Sequence, residues 1–598
     1  MVRFRLTALV VLFLGIVAVR PARADGTWTM APPNPTTGGQ AFGLWLLTDG
    51  TVLSHGSALN HWVILTPDKK GSYANGTWKS VASSMHARGG ATQHMLKDGR
   101  FFQAGGEYVD GPACTAALCK GTEIYDPVAD AWKEVAPGTY EIADTGSATL
   151  SDGRLLYSSR SGKQTMIYDP VMDKWTDAAP LPLMSGDENA WAALQNGGIL
   201  AVGYKNDGAA IYDPATDKWQ RTGPMPSGFD TGDTGGISLM FDGRVYVYGL
   251  GQSYIYTPGA TAADPGTWAP GPMLLNGDRA EDEYSDTLPN GKVWGGLVTM
   301  TYGPGVVLQE FDPTTNTSKS ATPPPDMGNP YPIDYVNLPN GQVMVTAERN
   351  DWIYTPDTQP QDEWRPTVSD VALDSGTTYT LTGTQLSGLI NGADEGDDMT
   401  MAENYPIVWL TDESGDVYYC RSFDFSTMVP SKGTAPQTCK FTTPAGLPSG
   451  SYELFVSAVG VVSKDPFPFT TGVGGKGTGT GGASGAAGAS GASGAGGASG
   501  SGGATGAGGS TGTAGNSGSG VTLKGVAGMS GAGGAGNGMA TDMSGAGGKS
   551  GAGTGNGGAT SKSGCGCHLA SGSSPSALGA SVLLLGLAAL RARRRARR

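Results

Sequence analysis

From residue 42 to residue 355, short apolar, β-prone runs alternate with polar turns at a regular interval. The turns carry Asp-Gly or Asn-Gly pairs at Asp49-Gly50, Asp98-Gly99, Asp152-Gly153, Asn196-Gly197, Asp242-Gly243, Asn290-Gly291 and Asn340-Gly341, spaced by 44 to 54 residues. An apolar residue precedes each pair by two or three positions, and a run such as Arg244-Val245-Tyr246-Val247-Tyr248 follows. That is the pattern of a tight hairpin, so seven hairpins are predicted.

A second signal repeats in phase with the first. Tyr125-Asp126-Pro127, Tyr168-Asp169-Pro170, Tyr212-Asp213-Pro214, Tyr256-Thr257-Pro258, Phe311-Asp312-Pro313 and Tyr354-Thr355-Pro356 each follow a hairpin, and Leu65-Thr66-Pro67 stands in the first repeat. A tryptophan closes most repeats: Trp78, Trp132, Trp175, Trp219 and Trp268. One repeat therefore reads as an inner strand, the hairpin turn, a second strand, a third strand ending at Tyr-Asp-Pro, and an outer strand begun by Trp. A lone four-stranded sheet cannot bury both faces, so the copies must stack around an axis. The expected fold is all-β, with a seven-bladed β-propeller over residues 25–364. Gly26-Thr27-Trp28 is an orphan outer-strand signature, placed to fasten the seventh blade and remove the open edge.

This residue pattern resembles kelch repeats and, among them, the propeller of the galactose oxidase and glyoxal oxidase group. Only Gly105-Gly106 matches the kelch double glycine, and the sixth repeat has no outer-strand Trp. From residue 365 to 470 the pattern changes to short strands of alternating polarity, which predicts a β-sandwich. Its segments Glu395-Gly396-Asp397-Asp398, Asn404-Tyr405-Pro406-Ile407-Val408 and Val417-Tyr418-Tyr419-Cys420-Arg421 resemble the immunoglobulin-like early-set domain that follows the propeller in that group, which implies an immunoglobulin-like fold for this sandwich.

Composition shifts sharply after Thr470. Thr471 to Gly564 holds 39 Gly with no aromatic residue, too little apolar surface to offset the ordering cost of a backbone, so residues 471–563 read as a disordered linker. Both termini read as addresses. Arg3 and Arg5, an apolar run to Val19 and the small residues Ala22 and Ala24 make residues 1–24 a signal peptide, with Asp25 as the first mature residue. Residues 564–598 carry Cys565 and Cys567, a short apolar helix and an Arg-rich end. That order resembles the tripartite C-terminal sorting signals of myxobacterial surface proteins. The resemblance implies processing or lipid attachment at Cys565 or Cys567, anchoring to the membrane or envelope through the tail, and display on the cell surface.

The net charge of −14 and the scarcity of basic residues before the last eight positions exclude a nucleic-acid partner. The oxidase resemblance implies a copper radical site built on two His and two Tyr, one Tyr cross-linked to Cys, with one His from the early-set domain. The histidines are His55, His61, His86, His94 and His568, and none lies between Met95 and Cys567. Phe423 and Phe425 stand where a ligating His would be sought. Copper is therefore not expected, and His86 and His94 read as strand residues of the second blade. The export address makes Cys114–Cys119 and Cys420–Cys439 candidate disulfides, with a four-cysteine zinc site as the rival. Four blades carry an acidic residue about eight or nine positions ahead of the hairpin pair: Asp144, Asp187 with Glu188, Asp233, and Asp282 with Glu283. These carboxylates either converge at one mouth of the channel, as a ring able to hold Ca²⁺ or accept sugar hydroxyls, or each caps its own loop.

Two function classes remain. One is a surface-displayed, monomeric recognition module for an extracellular glycan or protein ligand, without catalysis. The alternative is a galactose oxidase-like oxidoreductase, or a hydrolase whose site the sequence does not assemble. The absence of histidine from five blades favours the first.

Overall fold

A computed structural model describes residues 26–36, 42–56, 58–232, 236–280, 284–299, 306–327, 333–347, 349–393 and 401–476. The expected signal peptide over residues 1–24, the tail with Cys565 and Cys567, nearly all of the Gly-rich segment, and the acidic residues Asp233, Asp282, Glu283, Glu395, Asp397 and Asp398 lie outside the described residues.

Seven four-stranded antiparallel sheets form the blades, built from consecutive strands except in blade 2, where the short strand Tyr108–Val109 intervenes to pair with Arg88–Gly89, and in blade 7. Blade 1 is typical: Phe42–Leu46 innermost, then Val52–His55, Trp62–Thr66 and Thr77–Ser80 outermost. Blade 7 takes its inner three strands from Tyr335–Asn337, Val343–Thr346 and Asp351–Thr355, and its outermost strand, Thr27–Met30, from the other end of the propeller. In that pair Trp28 faces Tyr354 in register, the relation that Trp132 has to Tyr125 and Trp175 to Tyr168. The orphan signature is thus the missing strand, and it closes the ring.

The Tyr-Asp-Pro and Trp positions lock blade to blade. In blades 2, 3 and 4 the tyrosine hydroxyl donates to an aspartate five residues on: Tyr125 to Asp130 (3.0 Å), Tyr168 to Asp173 (3.0 Å) and Tyr212 to Asp217 (2.9 Å). The same carboxyl oxygen accepts a backbone N–H from the preceding blade, of Ala82, Ala136 and Ala179 at 2.8, 2.7 and 2.9 Å. Each aspartate sits at a left-handed φ of 48–50°, which aims its short side chain at both donors. The Trp indole N–H groups add a second tie, Trp132 to the carbonyl of Ala82 and Trp175 to that of Ala136 (2.9 and 2.7 Å). In blade 6, Ser318 occupies the Trp slot, and Tyr246 of blade 5 supplies the aromatic volume by stacking on Phe311 at 4.2 Å.

The second domain is a barrel-like, sandwich-like sheet. Eight of its strands close on themselves because Ile407–Thr411 pairs with both Val417–Phe423 and Ser451–Ala458. One of those strands is Gly474–Lys476, paired to Thr367–Ser375, so the fold extends beyond Thr470 into the expected linker. A strand of three residues needs no apolar content of its own when a neighbour supplies the ladder partners.

This domain docks on the hairpin turns of every blade. Tyr419 packs on Gly50, where a Cβ would lie 2.4 Å from the ring. The N–H groups of Ser422, Asp424 and Met428 donate to the carbonyls of Thr48, Lys97 and Ser151 (3.1, 2.7 and 3.2 Å). Gln195 donates to the Leu389 carbonyl (2.8 Å), Trp364 stacks on Phe241 at 4.0 Å beside Gly291, and Gly460 meets Gly341. Its segments 388–393 and 401–405 reach the innermost strands. Tyr405 donates to the Leu46 carbonyl (2.6 Å), Asn391 to that of Ala193 (3.2 Å), and the Thr287 N–H donates to the Gly392 carbonyl (3.2 Å). The turn side of the channel is therefore covered by the second domain.

Candidate functional site at the free mouth of the propeller

Each innermost strand runs toward its hairpin turn, so the residues that lead into it lie at the opposite, undocked end. Asp144 and Glu188 are there, eight positions ahead of Asp152 and Asn196, in the place that Gly90 holds ahead of Asp98. All three have left-handed backbones, with φ of 48°, 55° and 60°. The three blades in which this position is among the described residues share this conformation, and glycine meets it without strain. Blades 3 and 4 nevertheless place buried carboxylates there, at a cost that points to use. The structure brings the two loops together, with the Glu188 N–H donating to the Asp144 carbonyl at 2.7 Å and Thr145 bridging to Asp187. Glu188, rather than Asp187, is the blade-4 counterpart of Asp144. Asp187 lies one step off the repeat position and is only part-buried.

Behind the mouth, polar side chains tie the innermost strands around the ring. Ser238 and Ser285 hydroxyls are 2.8 Å apart, the Asn337 amide donates to Asp286 (2.9 Å), and the Gly43 N–H donates to Asp334 (2.9 Å). His94 belongs to this belt. Its two ring nitrogens lie 2.9 and 3.0 Å from the hydroxyls of Thr149 and Ser147, and burial lowers its pKa to about 3.

The other imidazoles sit elsewhere. His55 is packed between Trp45 and Trp62, at 5.3 and 4.8 Å, and burial lowers its pKa to about 4. His86 is on the loop before Arg88–Gly89 rather than on a strand, held by Asp110 at 2.7 Å, and His61 is exposed. Among the described residues, no two imidazoles converge and no three His, Cys, Asp or Glu side chains are grouped to hold a metal. These residues do not fit a copper site built on two histidines.

The cysteines divide. Cys114 and Cys119 form a disulfide in the long loop of blade 2 at the free end, with the Arg160 guanidinium 3.6 and 3.9 Å from the two sulfurs. Cys420 and Cys439 are free and buried, which corrects the expected pairing. Their strands pair through Arg421 with Thr442, Ser422 with Phe441 and Phe423 with Lys440, which sets the cysteines at opposite ends of that ladder. At about 3.3 Å per residue they stand roughly 13 Å apart, beyond disulfide reach. No zinc site joins them to the first pair, which is already oxidised.

No family model matches the sequence, and no curated protein does. Among solved structures the chain is similar to a copper-bound fungal alcohol oxidase of the AA5 family, at 15% identity and a TM-score of 0.45, covering 75% of this chain and 99% of that one. It is also similar to a catalytically inactive virginiamycin B lyase from Staphylococcus aureus with quinupristin, at 11% identity and a TM-score of 0.40 over 55% of this chain and 99% of that one. A third is the extracellular domain of a putative hybrid two-component system from B. thetaiotaomicron, at 12% identity and a TM-score of 0.39 over 75% of this chain and 59% of that one.

Proposed function

We propose that this protein is a surface-displayed binding module whose free propeller mouth recognises a hydroxyl-rich glycan or a protein ligand. The observation that carries this reading is the pair Asp144 and Glu188: buried acidic side chains in a glycine-favouring conformation at the end of the channel opposite the hairpin turns on which the second domain docks. Carboxylates held by a rigid blade scaffold accept hydrogen bonds from sugar hydroxyls or peptide N–H groups, or hold Ca²⁺ between protein and ligand. The disulfide-tied loop of blade 2 forms a second wall at that end. The two buried histidines, His55 and His94, are spent on packing and on the polar belt, which supports binding over imidazole-dependent catalysis. The Gly-rich segment then acts as a spacer that lifts the module from the envelope, with anchoring through the tail.

Glycan-array and peptide-array screening of the full chain, with and without Ca²⁺, tests this. A defined ligand class should be retained, and the double substitution Asp144→Asn, Glu188→Gln should weaken it at least tenfold. A chain that retains nothing, or one whose ligand ignores the double substitution, overturns the reading.

A further inference from the structure

The residue just before the Tyr, Phe or Leu that ends the third strand's apolar run is isoleucine in six blades: Ile64, Ile124, Ile167, Ile211, Ile255 and Ile353. In blade 6 it is Glu310, and it remains buried. In register, Glu310 stands between Trp294 and Lys319 on the face turned toward blade 7. It accepts the Trp294 indole N–H at 3.1 Å and faces the Lys319 ammonium at 3.3 Å. A buried carboxylate in a repeat slot that otherwise takes a branched alkane is costly, so the slot is doing something the other six do not.

Beside Glu310 opens a pocket of about 190 Å³ lined also by Lys292, Asp312, Lys319, Tyr354 and Asp357. Its origin is the closure of the ring. The third and fourth strands of blade 7 come from distant parts of the chain, so no turn joins them as residues 126–131 join those of blade 2. The slot of the locking aspartate is also altered. Gly26 takes it, with no space for a Cβ, which would lie 2.5 Å from the Tyr354 ring.

We infer that this corner, between blades 6 and 7 and remote from the free mouth, is a binding site for a single neutral sugar residue. The volume equals that of about six waters at roughly 30 Å³ each, the scale of one pyranose with its hydroxyls. Lys292 is paired with Asp312 at 2.6 Å and Lys319 with Glu310, and Asp357, the remaining carboxylate of the wall, is engaged as well. The wall thus offers fixed donors and acceptors, with an aromatic ring at one side, and an ionic ligand would have to break those pairs. A neutral polyol matches both its size and its mixed polarity. The inference does not depend on the mouth binding a glycan, because the two sites share no residue.

Saturation-transfer NMR on the full chain with glucose, mannose and galactose at millimolar concentration tests it. At least one sugar should give transfer to its ring protons. Glu310→Ile, which restores the residue of the other six blades, should weaken that binding at least tenfold with the thermal midpoint unchanged or raised. Should that substitution lower the midpoint by several degrees, Lys292→Gln at the pocket rim decides, with the same tenfold loss expected. No transfer from any of the three sugars, or transfer that survives the deciding substitution, overturns the site. Failure here leaves the mouth untouched, since its test reads Asp144 and Glu188.

Discussion

The indole of Trp28 lies against the ring of Tyr354, centroids 5.0 Å apart, across the strand pair that closes the propeller. The same indole sits 5.9 Å from Trp294 and donates its N–H to the Thr322 carbonyl at 3.0 Å, so one side chain fastens blade 7 to itself and to blade 6. Burying an aromatic is worth several kcal/mol, discounted here because Trp28 is only part-buried. We expect Trp28→Ala to destabilise the propeller by about 2 kcal/mol, measured by urea unfolding. Trp28→Phe should recover more than half of that. An Ala variant with wild-type stability would show that the closure rests on the backbone ladder alone.

The locking aspartates give a sharper comparison. Asp173 accepts the Tyr168 hydroxyl and the Ala136 N–H while its own backbone is left-handed. Asp173→Ala leaves both donors without a partner and puts a Cβ residue with no local hydrogen bond into that conformation, at a cost of about 2–3 kcal/mol. Asn keeps an acceptor and tolerates the conformation, as Asn316 does at a φ of 54° in the same slot of blade 6. Asp173→Asn should therefore stay within about 1 kcal/mol of the wild type by the same measurement. Equal losses for Ala and Asn would mean that charge, rather than the acceptor, matters.

These local locks explain why so much of the propeller could be read from the chain. A hairpin turn, a tyrosine and a tryptophan in one blade lie within a few dozen residues, and the repeat multiplies each signal. Asp130, Asp173 and Asp217 stand in plain view two residues before their tryptophans, but the second partner of each, a backbone N–H, is in the preceding blade. Glu310 became conspicuous only once the strands were aligned face by face. The register of the second domain is non-local, which is why two cysteines on adjacent strands read as a pair when the ladder holds them apart. The docking of that domain on seven glycine turns also had no local signature. Half of the acidic set stays at the level of its spacing, while Asp144 and Glu188 are placed by the blades themselves.

Where the second domain reaches under the channel, Glu403 accepts the backbone N–H of Asn337 at 3.0 and 3.2 Å, and Asp286 is bonded to the side chain of the same asparagine. Burial, with the Asp286 charge beside it, pushes Glu403 well above the usual carboxylate range. A raised folded value means that the contribution of Glu403 is fully present below its unfolded pKa of about 4.5 and is lost as pH rises through the folded value. Glu403→Gln removes that dependence. Thermal midpoints at pH 5 and pH 8 should show the variant gaining on the wild type as pH rises. Parallel pH profiles would mean that the joint does not hold a proton there.

The buried thiols supply the last test. Cys420 lies in the core shared by Tyr405, Val408 and Phe441, and Cys439 in the same cluster. Burial pushes Cys439 up to about 12 and raises Cys420 as well, so neither carries appreciable thiolate at neutral pH. Both should resist alkylation in the native protein at pH 8. Both should react completely once the chain is unfolded without reductant, while Cys114 and Cys119 stay blocked until reductant is added. Peptide mass spectrometry after that two-step labelling reads all four positions at once. A Cys420–Cys439 peptide in the unreduced digest would require a different pairing register for the strands Val417–Phe423 and Pro436–Thr442, and with it a different core for the second domain.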